Sequence, residues 1–355
     1  MEVPGAEGPS CGGSPREGAR SELASGAATG GGGPQAPPTR TRYRATRLRF
    51  SATRLRSATL GRSRSSIARR QAAAGYVFIA PAMVIFFVFT LLPVGIALYL
   101  SFTDYDVFTR MNWIGAANYQ DVFDDEIFRQ ALWNTLTYTA WSIPAAMAIG
   151  LGLALLLNQK LRGLGLYRTI YYVPVVTSMV AVAMIWVQLF DPLYGVLSNG
   201  LEAIGIKGID WLGDPRLAMP SVIAVSVWKV IGWNMLIFLA GLQGIPDYLK
   251  EAAAIDGANR WQSFWRITLP LLQPTSFFIF VTSLIGAFQV FDVVYVMTGG
   301  GPASATTTVV HQIYNAAFKA LDMGYAAAMS FVLFGIILAV SLLSIRAMRA
   351  DVSYI

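Results

Sequence analysis

The chain has 355 residues, 55% of them hydrophobic and only 13% charged, with a formal net charge of +7. A soluble domain averages about 25% charged residues, and no basic stripe interleaved with aromatic residues marks a nucleic-acid surface, so the bulk of the chain is built neither for water nor for nucleic acid. Cys11 and His311 are the only cysteine and histidine, which excludes an intrachain disulfide and a Cys/His metal site, and no catalytic constellation is evident.

Residues 1–74 predict a disordered, basic N-terminal tail. The stretch to residue 38 is rich in Gly, Ala, Ser and Pro, and residues 40–70 alternate Arg with Thr, Ser, Ala and Leu. Such a segment buries too little apolar area to offset its chain entropy. A polybasic tail on anionic lipid is the simplest interpretation. An organelle transit peptide also fits, because no acidic residue lies between Glu22 and Asp104, and so does a misassigned start codon.

Six apolar segments follow, each of about the 20 residues that span a bilayer. We predict spans at residues 75–102, 132–157, 169–190, 218–243, 271–297 and 325–345. They make an all-α, six-helix transmembrane domain at residues 75–346, followed by a short tail at 347–355. Pro93 and Pro144 lie inside the first two spans, where neighbouring groups can satisfy the carbonyls that a proline frees.

The basic residues in the connections predict the orientation of these spans. The tail, the connections after the second and fourth spans, and the C-terminal end together hold 21 Lys and Arg, whereas the opposite connections hold five. Under the positive-inside rule, both termini are cytoplasmic.

Two charges lie within the apolar segments, Lys229 in the fourth and Asp292 in the fifth. A lysine near mid-membrane costs about 2.5–3.5 kcal/mol, so it is expected to face the protein interior or a wet cavity. Either Lys229 lines or gates a pathway, or it is a structural lysine paired with a carbonyl or an acid. Asp292 is a conceivable partner.

The connection at residues 244–270, between the fourth and fifth spans, is too long for a simple turn. Asp247 is a suitable N-cap for a helix at residues 248–256, and Gly257 suits the left-handed position that ends a helix. This helix predicts a knob of small residues flanked by acids, a shape that can enter a groove on another protein: Glu251, Ala252, Ala253, Ala254, Ile255 and Asp256.

A second helix in this connection is predicted from a capping box formed by Asn259 and Gln262. We expect it to stop at Pro270, where the fifth span begins. One of its faces is suited to the membrane interface, and this face carries Trp261, Phe264, Trp265 and Thr268.

These residues resemble the EAA signature of ABC importer permeases, because Glu251-Ala252-Ala253, Asp256-Gly257-Ala258, Ile267 and Leu269-Pro270 keep that family's spacing. Other stretches are similar to the carbohydrate branch, specifically the maltose-type first permease subunit: residues 133–136, 227–235, 238–243 and 291–302. The resemblance covers about residues 75–346.

The resemblance implies that the segment from Glu251 to Gly257 docks into a cleft on an ATP-binding subunit, and residues 244–270 are called the coupling loop below. It also implies a heterodimer with a second permease subunit, two ATP-binding subunits and an extracytoplasmic sugar-binding protein, in a bacterial plasma (inner) membrane. No Gly-Lys pair and therefore no P-loop occurs in the sequence. The partner ATPase would use ATP and Mg, and this chain would bind no cofactor.

Sugar recognition uses aromatic faces together with hydrogen bonds to hydroxyl groups. Side chains of these types in the fourth and fifth spans are, with Lys229, candidates for a translocation path: Trp233, Asn234, Phe288, Gln289, Asp292 and Tyr295. Aromatic residues in membrane helices serve packing more often than ligand contact.

The sequence therefore predicts a transport subunit, not an enzyme, that forms half of the pathway of an ATP-driven importer of an oligosaccharide, disaccharide or polyol. An importer of glycerol phosphate esters is the alternative within the class. An ion-driven secondary transporter fits less well, because Asp292 is the only acid within the spans and no inverted repeat is evident.

Overall fold

The structure is a computed structural model that describes residues 61–108, 110–159, 163–205 and 208–351, with side chains between residues 68 and 346. The chain divides into two units, residues 1–69 and residues 70–355, and the packing and sites below belong to the second. Most of the predicted tail lies outside the described residues. Its last part does not fit the prediction of disorder, because a helix begins at Gly61. Ala and Gln at residues 71–74 favour a helix and lead directly into the first span.

Helices make up most of the described chain. In chain order they are α1 (Gly61–Phe86), α2 (Leu92–Leu100), α3 (Ala117–Asp124), α4 (Glu126–Leu157), α5 (Leu164–Val176), α6 (Met179–Leu189), α7 (Val196–Ala203), α8 (Pro215–Gln243), α9 (Asp247–Ile255), α10 (Arg260–Ser263), α11 (Leu269–Leu271), α12 (Gln273–Phe288), α13 (Asp292–Met297), α14 (Val309–Tyr314) and α15 (Met323–Asp351). Three π turns occur among them, at Phe87–Leu91, Phe264–Thr268 and Asn315–Lys319. The all-α prediction omits one small element, the antiparallel strands β1 (Thr103–Asp104) and β2 (Asn112–Trp113).

By length and composition, four helices in the described part of the chain can cross a membrane: Ala68–Leu100, Glu126–Leu157, Pro215–Gln243 and Met323–Arg346. Two further candidates are bent pairs. One joins Leu164–Val176 to Met179–Leu189 at 97°, and the other joins Arg260–Leu271 to Gln273–Phe288 at 61°. The count is therefore four spans, or up to six if each bent pair is one span.

The predicted third span, residues 169–190, is not one continuous helix. Pro174 lies near the end of α5 and provides no N–H group, and Thr177 and Ser178 then take extended conformations with ψ values of 153° and 136°. The chain turns at this point and α6 leaves at 97° to α5. Hydropathy does not register this break, because both arms are apolar.

The predicted fifth span, residues 271–297, is also interrupted. α12 ends at Phe288, the chain leaves the helical conformation at residues 289–291, and α13 begins at Asp292. The carbonyl of Val290 in this break accepts a 2.9 Å hydrogen bond from Oγ1 of Thr308, so the following connection stabilises it. Asp292 therefore begins a separate short helix and does not lie inside an apolar span, which corrects the prediction.

Two of the π turns precede a proline in similar sequences, FVFTLLP at residues 87–93 and FWRITLP at residues 264–270. The N–H groups of Leu92 and Leu269 bond to carbonyls five residues back, at Phe87 and Phe264. The wider turn accommodates a proline ring, which in a regular helix would clash with the carbonyl four residues earlier. The helix predicted to stop at Pro270 consequently continues to Leu271 before the chain bends.

Two clusters of buried apolar side chains join the spans. The larger connects α4, α6, α8, α12, α13 and α15 and includes Phe128, Met219 and Phe288; the smaller connects α4, α8 and α12 and includes Met235, Phe238 and Leu272. Helices in a membrane pack best where small residues let them approach closely. Gly232 of α8 is such a position, because a Cβ there would collide with the carbonyl oxygen of Tyr171 in α5.

Candidate functional site

The first helix of the coupling loop is α9, which begins one residue earlier than predicted. Its N-cap is Pro246, and Asp247 lies in the first turn, where a carboxylate favours the helix dipole. Asp247 Oδ1 is 3.6 Å from Nζ of Lys250. Ile245, in the short link from α8, is buried in the smaller core cluster. The end of α8 is therefore joined to α9 by a link that is packed into the protein.

The predicted left-handed conformation of Gly257 is confirmed, because its φ angle is +81°. The N–H of Gly257 donates to the carbonyl of Ala254 at 3.1 Å, and the N–H of Ala258 donates to the carbonyl of Ala253 at 2.9 Å. These two bonds form a Schellman motif, which satisfies carbonyls at the end of α9. The motif turns the chain sharply and leaves the tip of α9 projecting.

The predicted capping box is also confirmed. Asn259 Oδ1 accepts a 2.8 Å bond from the N–H of Gln262, and Gln262 Oε1 accepts a 2.9 Å bond from the N–H of Asn259. The helix that follows carries a cluster of rings whose centroids lie 5.5–6.1 Å apart: Trp261, Phe264 and Trp265. Both tryptophans are exposed, as an interfacial face requires, whereas Thr268, predicted on this face, is buried.

The seven predicted docking residues divide by exposure. Ala253 is only 8% exposed and packs beneath the helix, so it does not belong to the outer surface of the knob. Successive helical residues turn by about 100°, so four consecutive residues cannot all point outwards. Ile255 is 86% exposed and is the most prominent apolar group of the segment. The exposed members are Glu251, Ala252, Ala254, Ile255, Asp256 and Gly257.

A cavity of about 390 Å³ lies where α4, α8, α12 and α13 meet the break between α5 and α6. The structure brings four of the predicted pathway residues to its wall: Lys229, Trp233, Gln289 and Asp292. An indole, an amide and a carboxylate in one apolar-walled cavity provide a stacking surface with convergent hydrogen-bonding groups. This combination can hold a small hydroxyl-rich molecule.

Lys229 is bound to the break between α5 and α6. Its ammonium donates to the carbonyl oxygens of Pro174 at 3.4 Å, Val175 at 3.3 Å and Thr177 at 3.0 Å. A helix leaves its last carbonyls without internal partners, and in lipid each unsatisfied group costs several kcal/mol. The ammonium of the lysine therefore supplies donors to the carbonyls at the break, and these carbonyls supply acceptors to the ammonium. Of the partners considered from sequence, carbonyls and not Asp292 bind this ammonium.

Two other predicted pathway residues do not face the cavity. Asn234 of α8 is fully buried against α4. The two helices are so close here that a Cβ added to Gly150 would lie 2.7 Å from the Cβ of Asn234. Among the described residues, its amide nitrogen and oxygen have no hydrogen-bond partner. Phe288 is 2% exposed and packs in the larger core cluster. Both side chains point to neighbouring helices, which corrects the prediction for them.

Tyr295, the last predicted pathway residue, belongs to a group of rings beyond the cavity. Its ring lies 5.2 Å from that of Phe291 and 5.1 Å from that of Tyr314, measured between centroids. Nζ of Lys319 lies 5.9 Å from the centroid of Tyr295, within range of a cation–π contact. Phe291 also lines the cavity, so the ring cluster adjoins it.

A second cavity of about 290 Å³ shares part of the wall of the first, including Tyr138, Ser226 and Trp233. The residues predicted from the sequence do not include its polar lining: Tyr138, Ser142, Ser226, Thr282 and Ser283. The sequence does carry a signal for this lining, which is a row of polar side chains at helical spacing. Tyr138 and Ser142 are four residues apart on α4, and Ser226 continues through Lys229 and Trp233 on α8.

His311 lies in α14 and is 2% exposed. Its Nδ1 is 3.4 Å from Nδ2 of Asn315, and no residue that the structure describes forms a hydrogen bond with its Nε2. Burial, and to a lesser extent the charge of Lys319, lower the pKa of His311 below its usual value. Within the described ranges, no three His, Cys, Asp or Glu side chains are grouped to hold a metal ion.

The connection that contains His311 is attached to α4. Nδ2 of Asn134 donates to the carbonyls of Ser304 at 2.8 Å and Thr307 at 2.9 Å. The hydroxyl oxygen of Thr135 accepts a 3.1 Å bond from the N–H of Val309. These bonds hold the connection across the end of the helices opposite the coupling loop.

Comparison with known proteins agrees with this architecture. The model of the family described as "Binding-protein-dependent transport system inner membrane component" matches residues 146–350. The probable ABC transporter permease protein YesP of Bacillus subtilis (strain 168) is 39% identical over 296 residues, 82% of this chain and 95% of that protein. The sn-glycerol-3-phosphate transport system permease protein UgpA of Agrobacterium fabrum is 38% identical over 281 residues, 79% of this chain and 96% of that protein.

Among solved structures, a chain of the bacterial alginate ABC transporter in complex with alginate pentasaccharide-bound periplasmic protein is similar, with a TM-score of 0.72 at 27% identity. The similarity covers 80% of this chain and 96% of that chain. The family model spans more than half of the present sequence, and the relatives match almost over their full lengths. The chain therefore belongs to the binding-protein-dependent transport system inner membrane components, the permease subunits of ABC transporters.

Proposed function

We propose that this permease forms one half of the translocation pathway of an ATP-driven importer of an oligosaccharide, a disaccharide or a polyol. The observation that carries the proposal is the projecting tip of α9. A Schellman motif ends α9 at residues 253–258, and the capping box that begins α10 follows directly at Asn259, so hydrogen bonds fix the turn that follows the tip. A rigid, mostly apolar tip with Ile255 at its end suits insertion into a cleft of another protein.

The partners that this proposal requires are a second permease subunit, two ATP-binding subunits and an extracytoplasmic sugar-binding protein. The solved relative is described with a periplasmic protein that carries an alginate pentasaccharide, which supports a binding protein as the delivering partner. Without a P-loop, the chain relies on its partners to bind ATP and Mg. The excess of basic residues in alternate connections supports a cytoplasmic coupling loop and cytoplasmic termini.

The two adjoining cavities are the proposed part of the pathway that this subunit contributes. Trp233 offers a ring face, and Gln289 and Asp292 offer polar groups to hydroxyls. The relationship to UgpA raises a glycerol phosphate ester as the second candidate substrate. Against a phosphate, the ammonium of Lys229 is already bound by carbonyls and the carboxylate of Asp292 would repel an anion. A neutral polyhydroxy compound fits this cavity better.

The test is reconstitution of the permease with its partner subunits in vesicles that contain ATP. Uptake is measured for labelled neutral oligosaccharides, disaccharides and polyols and, in parallel, for sn-glycerol-3-phosphate. We expect uptake of a neutral compound that requires both ATP and the binding protein. Uptake of the phosphate ester alone would replace the first substrate class by the second, and uptake without an ATP-binding subunit would contradict the proposal as a whole.

A further inference from the structure

The broken third span has two arms that pack against different parts of the protein. α5 packs against α8, and α6 packs against α13. The arms meet at Thr177 and Ser178, and residues from both sides of the break, Val175 and Met179, line the larger cavity. The angle between the arms therefore shapes one wall of that cavity.

One face of α8 controls the position of this break. Gly232 lets α8 touch the backbone of Tyr171 in α5. One turn earlier, the ammonium of Lys229 binds three carbonyls at the α5 side of the bend, those of Pro174 and Val175 in the last turn of α5 and that of Thr177 in the break itself. Backbone contact at Gly232 and charge-assisted hydrogen bonds from Lys229 thus join α8 to the end of α5 over consecutive turns of α8.

The other end of α8 leads into the coupling loop. Only residues 244–246 separate Gln243, the last residue of α8, from the first residue of α9. Leu242 and Ile245 are both buried in the smaller core cluster, and Ala253 is buried beneath α9. Because this connection is short and packed into the core, we expect a displacement of α9 to move α8 as well.

Building on the proposed function, we propose that Lys229 is a positioning residue that ties the break in the third span to α8, so that movement of the coupling loop changes the shape of the cavity wall. The ammonium has no role as a substrate contact in this proposal. It acts through the carbonyls of the bend, and the site requires a charged donor on a side chain long enough to reach them.

The experiment measures the separation of the two arms in the full complex. The only cysteine, Cys11, is replaced by serine, and spin labels are attached at Leu166 of α5 and Ile185 of α6, which are 66% and 60% exposed. Label-to-label distances are measured by electron double resonance without nucleotide and with Mg²⁺ and a slowly hydrolysed ATP analogue. We expect a nucleotide-dependent shift in the parent complex.

Lys229→Met should abolish this shift and broaden the distance distribution, whereas Lys229→Arg, which keeps a charged donor, should retain the shift. Trp233→Leu is the matched control, because it alters the same cavity and helix without touching the carbonyls. If the complex with Lys229→Met does not assemble, Lys229→Gln serves in its place. Its uncharged amide is on a shorter side chain than the ammonium of lysine, so we expect the same loss of the shift.

An unchanged shift in an assembled Lys229→Met or Lys229→Gln complex would overturn the proposal. So would a shift lost equally in Trp233→Leu, because the effect would then belong to the cavity and not to the hydrogen bonds. A parent complex that binds no ATP-binding subunit would contradict the proposed function itself, which distinguishes the two failures.

Discussion

At the scale of single residues, side-chain direction separates the proposed docking surface on α9 from the residue that supports it. Ala252 and Ala254 are exposed on α9, while Ala253 between them is buried. The three alanines are identical as residue types, but their positions around the helix axis differ, so two are exposed and one is buried. The apolar group that projects furthest is Ile255, and the backbone that holds it depends on Gly257.

Ile255→Asp tests the docking surface. A charge placed in a desolvated contact should lower the amount of ATP-binding subunit that co-purifies with the permease by about tenfold or more. Ile204→Asp is the matched control, because Ile204 is 72% exposed in a different connection. Equal co-purification for the two variants would show that α9 does not dock through its tip.

Gly257→Val tests the turn that ends α9. The position has a φ angle of +81°, and no atom of the described chain lies within 4 Å of an added Cβ, so the cost is backbone strain and not a clash. A left-handed conformation costs an L-residue about 1–2 kcal/mol, and Asn tolerates it best. We expect Gly257→Val to reduce uptake per ATP hydrolysed in reconstituted vesicles and Gly257→Asn to retain most of it. Similar losses in both would point to a role beyond conformation.

At the scale of elements, sequence predicts the ends of helices better than their interiors. Gly257, Asn259 and Gln262 act through local hydrogen bonds, so their effects can be predicted from residue order. The breaks at Ser178 and after Phe288 depend on Lys229 and Thr308, which reach them from other elements. The cavity could not be predicted from the sequence for the same reason. Its wall forms only when side chains on α4, α8 and α12 come together in the fold.

Gly232→Leu should separate α5 from α8. Its side chain would meet the backbone of Tyr171, and forced overpacking costs about 1–3 kcal/mol. Gly152→Leu on α4 is the control, because an added Cβ there has no atom of the described residues within 4 Å. The thermal unfolding midpoint of the detergent-solubilised complex should fall for the first variant and stay near the parent value for the second. The opposite order would contradict the close helix contact.

The stability of the α14 connection should depend on pH through His311. Its folded-state pKa is lowered, so the unfolded state, with a pKa of about 6.5, takes up the proton first. Stability is therefore full above that pH and is lost as pH falls through it. Thermal unfolding of the complex between about pH 5 and 8 measures this, and His311→Gln should remove the dependence assigned to this group. Because His311 is the only histidine of this chain, an unaltered pH dependence in the variant would place the titration elsewhere.

At the scale of the whole molecule, the orientation rests on the distribution of basic residues. Reporter fusions after Arg162, Arg260 and Arg349 should report the cytoplasm, and fusions after Asp121, Asp210 and Ala316 should report the opposite side. The positions come from alternate connections, so each pair tests one crossing. An inverted result at any internal position would change the number of crossings between that position and its neighbour.

The π turns before Pro93 and Pro270 have a consequence for how the chain length varies. Each turn holds one residue more than a regular helix needs, so deleting a residue from Phe87–Leu91 or Phe264–Thr268 would leave an ordinary helix and rotate the preceding segment by about 100°. A relative without the proline has no need of the extra residue. Single-residue gaps in alignments of such permeases are therefore expected inside these helices, where gaps are usually treated as errors, as well as in the loops.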